Sequence, residues 1–125
     1  MVVTSSINGT RTFRNTGASA YATSKAGQVA FAKMAAVELA RDGIRVNVVC
    51  PGSIDTEIED NTHQRHTDRV RIPVEFPAGQ IPLTGERPGS AAQVAELVCF
   101  LASGAAGHIT GTEVWIDGGQ SLLVG

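Results

Sequence analysis

Asp42-Gly43-Ile44-Arg45-Val46-Asn47-Val48-Val49-Cys50-Pro51-Gly52 is the stretch on which the fold of this chain turns. Asp42-Gly43 stops a helix with a glycine suited to left-handed backbone. Ile44 to Val49 is a β-branched run that reads as a strand, and Pro51-Gly52 breaks it. A strand entered from a helix and left through a breaker is one step of an alternating α/β pattern.

The flanks repeat that alternation. Upstream, Ala20 to Arg41 is helical, with apolar residues at core-facing spacing at Ala26, Val29, Ala30, Met34 and Val37. Phe31, Ala32, Ala35 and Leu39 make other faces apolar too, so the helix is expected to be buried on more than one side. Before it, Met1 to Ser6 reads as a strand and Ile7 to Ser19 as a non-periodic loop. Downstream, Ser53 to Arg87 is polar and proline-bearing, with a short helix expected around Asn61 to Arg71. So long a connection in a compact domain is usually functional, often a lid. Ser90 is an N-cap with Gln93 completing a capping box. Val94, Leu97, Val98 and Leu101 form the stripe of a one-sided helix that Gly104 ends. Thr112 to Ile116 is a third strand, closed by the turn Asp117-Gly118-Gly119. Strands alternating with helices imply a parallel sheet built from βαβ crossovers.

The bulk properties fit one globular α/β domain spanning residues 1–125. The net charge is −2 and the pI about 5.9, which argues against nucleic acid or an anionic membrane as the main partner. No apolar run approaches membrane-spanning length and no signal-peptide pattern opens the chain, so the expectation is a cytoplasmic protein. Cys50 and Cys99 lie far apart among apolar residues and read as buried free thiols.

Tyr21-Ala22-Thr23-Ser24-Lys25 carries the chemistry. Four residues apart on a helix, Tyr21 and Lys25 share one face. An ammonium beside a phenol favours the phenolate, which makes the pair a candidate acid/base device. Alone it is weak, because a core tyrosine beside a solvated lysine gives the same spacing. In an open parallel sheet, ligands sit beyond the carboxyl ends of the strands. Ser5 and Ser6, the Tyr21–Lys25 pair and Pro51-Gly52 all fall at that end.

Together these motifs resemble the C-terminal half of a short-chain dehydrogenase/reductase. The resemblance rests on Ser5-Ser6, on Ala20 to Lys25 with its Tyr-x-x-x-Lys pattern, and on Arg45 to Gly52. It continues through Ser53-Ile54-Asp55-Thr56, Val98 to Ser103, Ile109-Thr110-Gly111 and Ile116 to Gly119. It covers essentially the whole chain in order. It implies a Rossmann-like parallel sheet of three strands with covering helices, without the N-terminal βαβ half. It further implies an NAD(P)-dependent oxidoreductase moving hydride between the nicotinamide and a carbonyl or alcohol. Tyr21 would be the general acid/base, Lys25 would lower its pKa and bind the nicotinamide ribose, and Ser6 would orient the substrate oxygen. Pro51, Gly52, Ile54 and Thr56 would flank the nicotinamide, and Glu57 to about Arg87 would be the substrate lid. Related members act as 3-oxoacyl-carrier-protein reductases or sugar dehydrogenases.

Two departures from the family pattern matter. Ser6 stands fifteen residues before Tyr21, two more than is usual, so an insertion between Thr10 and Gly17 is implied and Ser5 remains an alternative. The sequence also holds no Gly-rich turn after a first strand, no residue assignable to the adenosine ribose, and no counterpart of the family's catalytic asparagine. Asn8 and Asn47 do not correspond to it. NAD and NADP are therefore indistinguishable from these residues. The first strand would become an exposed edge and the long helix would expose apolar surface. The expectation is a monomer that is poorly stable and inactive by itself, or a non-catalytic remnant acting through self-association or a complementary chain. The family is commonly dimeric or tetrameric, and the apolar helix and Leu122-Leu123-Val124 fit a homo-oligomer. His63 and His66 lack a third ligand at convincing spacing, so no metal is expected. Arg65, Arg69 and Arg71 read as a solvated basic cluster, and Trp115 as core or interface.

Overall fold

A computed structural model of the chain describes residues 1–13, 17–57 and 81–123. The expected helix at Asn61–Arg71, both lid histidines, the three lid arginines and most of the lid lie outside the described residues, as does Val124. Within them the order is β1 (Val2–Thr4), α1 (Ser19–Leu39), β2 (Asn47–Pro51), β3 (Ile54–Asp55), β4 (Gly89–Ser90), α2 (Ala91–Ala102) and β5 (Glu113–Ile116). The main sheet is parallel in the order β1-β2-β5, with Val3 opposite Val48, and Val49 opposite Val114. A second, two-stranded sheet pairs β3 with β4 in parallel. This is the α/β arrangement that the alternation of strands and helices implies.

β2 is the centre of the fold because it alone pairs on both edges of the three-stranded sheet. Its burial is continuous from Val46 to Cys50, the signature of a strand covered on both faces. Val46, Val48 and Cys50 face α1 and join Val29, Ala32, Ala35 and Ala36 in one cluster, with Val3, Leu39 and Trp115 packed at its margin. Val49 points the other way by strand periodicity and is equally buried. α2 packs on β1 and β2 through the expected one-sided stripe, of which Leu101 is fully buried.

Two expectations about burial are corrected. Of the residues predicted to face the core from α1, only Val29 does. Met34 and Val37 are exposed, and Ala32, Ala35 and Ala36 take their place. Small side chains let the helix lie close on the sheet, and the Cα of Gly111 approaches at the same place, where an added Cβ would sit 3.5 Å from that of Ala36. The bulky residues turn outward. Cys99, expected to be buried, is exposed on α2, whereas Cys50 is buried.

Strand and helix ends follow local hydrogen bonding. α1 runs into a short 3-10 turn, Ala40–Asp42, and stops at Gly43, whose φ of 70° is the left-handed cap predicted for it. Ser90 caps α2 by accepting from the Gln93 amide, and the Gln93 side chain accepts from the Ser90 amide. β2 begins three residues later than Ile44 because its approach is held otherwise. The Val46 amide donates to Thr110 Oγ1, and the Arg45 guanidinium donates to the carbonyls of Leu101, Ser103 and Ile109. Arg45 thereby satisfies carbonyls at the C-terminal end of α2 that no helical amide can reach.

Asn47 ties the same loop to the central strand. It is 1% exposed, its Nδ2 donates to the Ile109 carbonyl at 2.8 Å, and its Oδ1 accepts from the Thr112 amide at 3.3 Å. Replacing it by Ala orphans both groups at a cost of roughly 1–3 kcal/mol each. Asn47→Ala is expected to lower the urea midpoint of unfolding accordingly, while Asn47→Asp, which keeps only the acceptor, loses less at low pH than at pH 7.

Candidate functional site

The ladder carries β1 and β2 past their formal ends side by side. The Ser5 amide donates to the Val49 carbonyl at 2.8 Å and the Ile7 amide to the Pro51 carbonyl at 3.0 Å. Ser5, Ser6 and Pro51 are therefore brought to one end of the sheet, and α1 delivers Tyr21 and Lys25 to the same end. A cleft of about 530 Å³ opens there, lined by Ser6, Asn8, Tyr21, Lys25, Pro51, Gly52, Ile54, Thr56 and Gln120 among others. Ser5, Ser6, Tyr21, Lys25, Pro51, Gly52, Ile54 and Thr56, the site residues expected from the sequence, all lie along it. Its volume falls within the range of small-molecule sites.

The two serines are differently engaged. Ser5 is buried and its hydroxyl donates to the Lys25 carbonyl at 2.8 Å, fastening the strand end to α1. The Ser6 hydroxyl accepts from the Asn8 amide at 3.1 Å. A hydroxyl that accepts retains its own proton for another partner. Lys25 is half-buried and its Nζ donates to the Thr4 carbonyl at 3.1 Å, with two further donors on the same nitrogen. Its Nζ stands 5.5 Å from the centre of the Tyr21 ring, so the shared helix face expected from their spacing is present. Tyr21 is 39% exposed at the mouth of the cleft.

The opposite wall is fixed by the turn after β5. The Gly52 amide donates to the Ile116 carbonyl, and the Ser53 amide to Gln120 Oε1 at 2.9 Å. A Cβ on Gly52 would come within 2.6 Å of Asp117 Cβ and 2.8 Å of Gln120 Oε1, so only glycine lets the two segments meet. Beyond it, the pairing of Ile54 with Gly89 brings the first turn of α2 over the cleft, where Ala91 and Val94 add apolar surface. Of the expected lid, residues 81–85 form a turn bonded to Gly118 through the Leu83 amide.

Sequence reasoning missed Gln120, Asn8 and Asp117. Gln120 is buried among residues far from it in sequence, a proximity no local pattern encodes. Asp117 was read only as a turn residue. Burial pushes its carboxyl upward, but the nearby Ser121 hydroxyl, the Ser121 and Gly119 amides that donate to it and the Arg11 charge outweigh burial and hold it below the ordinary carboxylate value. Cys50, on the face of β2 toward α1, is pushed up by burial and then by the Glu113 charge, so it is a poor nucleophile. Among the described residues, no three His, Cys, Asp or Glu side chains cluster as a metal site, and no helix is long and apolar enough to cross a membrane.

Residues 1–121 match the protein family described as Enoyl-(Acyl carrier protein) reductase. The fold superimposes on a 3-ketoacyl-ACP reductase from Sinorhizobium meliloti 1021 with a TM-score of 0.87 and 57% identity, covering 98% of this chain and 48% of that one. The 3-oxoacyl-[acyl-carrier-protein] reductase FabG of Escherichia coli K12 is 40% identical over 113 residues, 90% of this chain and 42% of its own length. Oxidoreductase UcpA of Salmonella typhimurium is 41% identical over 107 residues, 85% of this chain and 40% of its own. The chain thus spans less than half the length of each. It belongs to the short-chain dehydrogenase/reductase family and corresponds to the C-terminal half of such proteins.

The Asp117 turn supports the cleft wall, and its carboxylate titrates lower folded than unfolded. A depressed acid contributes stability above its unfolded value, about 3.9, and loses it as pH falls through the folded value. The stability difference between the wild type and Asp117→Asn is therefore expected to be full at pH 6 and to shrink below about pH 4. Urea titrations across that window check this, and a difference that does not change with pH contradicts it.

Proposed function

We propose that this chain carries the proton-transfer and nicotinamide-facing portion of an NAD(P)-dependent oxidoreductase acting on a small carbonyl or alcohol substrate. One observation carries the reading: Ser6, Tyr21 and Lys25 converge on a single cleft with Pro51, Gly52, Ile54 and Thr56. A tyrosine–lysine pair alone occurs by chance, but its meeting a free serine hydroxyl at the carboxyl end of a parallel sheet does not follow from helix spacing.

The cleft suits a nicotinamide riboside. Pro51, Ile54 and Val94 give an apolar wall for a flat ring, and Lys25, Tyr21 and Thr56 offer donors for ribose hydroxyls and a carboxamide. Bound there, the nicotinamide supplies or takes up hydride. Tyr21 gives its phenolic proton to the substrate oxygen as it gains charge, or takes it back in the reverse direction. Ser6, whose hydroxyl proton is uncommitted, donates to the same oxygen and orients it, which favours Ser6 over Ser5. Lys25, braced by Thr4, holds a positive charge beside the phenol and a ribose hydroxyl. The 57% identity to a 3-ketoacyl-ACP reductase makes 3-oxoacyl thioesters the first substrates to test.

Because the chain spans less than half of its relatives, the test joins it to the portion of the Sinorhizobium meliloti reductase that it does not cover. Reduction of acetoacetyl-N-acetylcysteamine by NADH or NADPH is expected. Tyr21→Phe should lower kcat by roughly 10²–10⁴-fold and Ser6→Ala by a smaller factor, with folding unchanged by circular dichroism. A folded hybrid in which Tyr21→Phe turns over at the full rate refutes the assignment.

A second reading, association without catalysis, is favoured by the outer face of α1. Phe31, Met34 and Val37 follow one another at three-residue spacing and are 59%, 62% and 77% exposed. Such a patch marks association or aggregation. We propose that it pairs with another copy of the chain or a complementary segment. Sedimentation of the pure chain should show species larger than a monomer, and Met34→Glu should shift them to monomer; an unaltered distribution counts against the patch.

A further inference from the structure

We propose that Trp115 and Thr10 are positioning residues for Ser6. The indole N–H, the Thr10 hydroxyl and the Ser6 carbonyl form one hydrogen-bonded chain that fixes where the Ser6 hydroxyl stands in the cleft. The inference rests on the role given to Ser6 above and extends it to residues that do not touch the substrate.

Trp115 Nε1 donates to Thr10 Oγ1 at 3.3 Å, and the same oxygen lies 2.7 Å from the Ser6 carbonyl and 3.1 Å from that of Ile7. A hydroxyl has one proton and two lone pairs, so Thr10 can accept from the indole and still donate to the Ser6 carbonyl. The peptide joining Ser6 to Ile7 is then held at both of its polar ends: its carbonyl by Thr10, its N–H by the Pro51 carbonyl at 3.0 Å. With that peptide plane fixed, the Ser6 side chain is held within reach of the Asn8 amide, 3.1 Å away.

The anchor itself is immobilised. Arg11 lies over the Trp115 ring with its guanidinium carbon 3.6 Å from the centroid, a cation–π contact that opposes rotation of the indole. On its other flank the loop meets the helix that carries Tyr21. Gly9 has φ of 86°, and a Cβ there would overlap the Ala22 carbonyl oxygen. The Ser6 loop is thus clamped between β5 and the start of α1, the helix that carries Tyr21 into the cleft. Asn8 closes it further by accepting from the buried Thr12 hydroxyl at 2.7 Å.

The test uses the ¹⁵N-labelled chain, in which Trp115 gives a single indole resonance because it is the sole tryptophan. Trp115→Phe keeps an aromatic ring at the position and removes the indole N–H donor. Exchange of the Asn8 amide is expected to quicken about tenfold in Trp115→Phe and in Thr10→Val, the loss of roughly one net hydrogen bond. Thr10→Ser, which keeps the hydroxyl, should restore wild-type exchange and the indole shift. The Val48 amide, bonded to the Thr112 carbonyl, serves as the control that the sheet is intact. Unchanged Asn8 exchange in Trp115→Phe, or failure of Thr10→Ser to restore it, overturns the proposal. If Thr10→Val does not fold, Trp115→Phe decides. The underlying reading fails separately, through full turnover by Ser6→Ala in the hybrid enzyme described above.

Discussion

Burial of β2 on both faces and pairing on both of its edges is the constraint on which the rest depends. A strand in that position must be apolar throughout, and its register must match two neighbours at once. Val48 sits opposite Val3 on one side and Glu113 on the other, so sliding β2 by one residue would turn Val46, Val48 and Cys50 away from α1 and lose both ladders at once. The same register decides which residues leave the sheet together. Because the strands are parallel, the ends of β1, β2 and β5 open at one rim, and Ser6, Pro51 and the Asp117 turn arrive there without any further device.

What was legible in the sequence was what local chemistry dictates. The Gly43 stop, the Ser90–Gln93 capping box and the β-branched runs specify elements through interactions a few residues long, and all three appear in the structure at or near the predicted positions. Part of the cleft lining was legible too, because strand direction fixes which strand ends meet at the rim of a parallel sheet; Asn8 and Gln120 were not. The face of α1 was not. Its apolar residues surround the helix, so periodicity could not choose among faces, and the choice fell to close approach. Alanines at 32, 35 and 36 fit against β2, where Met34 would not. Cys99 escaped for a related reason: an apolar sequence neighbourhood does not place a side chain on the buried stripe.

Side-chain bridges between distant segments were the other blind spot. Gln120 to Ser53, Asn47 to Ile109 and Trp115 to Thr10 link residues separated by 67, 62 and 105 positions. Asn47 and Trp115 join loops to strands of the sheet, and Gln120 supplies an acceptor for the Ser53 amide where strand pairing has ended. Glutamine, asparagine and threonine are common in sequence, and nothing in the immediate neighbours of these residues or of Trp115 marks them as the ones used. They become readable only once the rim of the sheet is known, as the residues that hold its loops in place.

The outward turn of Phe31, Met34 and Val37 and the fixed interior of the cleft are two consequences of one helix. α1 must present small residues to the sheet to let Tyr21 and Lys25 reach the rim, because a wider spacing would lift the Tyr21–Lys25 turn away from Ser6. The bulky apolar residues are then displaced to the far side. Among the described residues, the outer edge of β1 pairs with no strand, and that edge and the displaced surface are both places where groups that usually pair or pack are left uncovered. The stability of the site therefore depends on residues remote from it: the packing of Ala32, Ala35 and Ala36 against β2 also holds in place the helix whose first turns carry Tyr21 and Lys25 to the cleft.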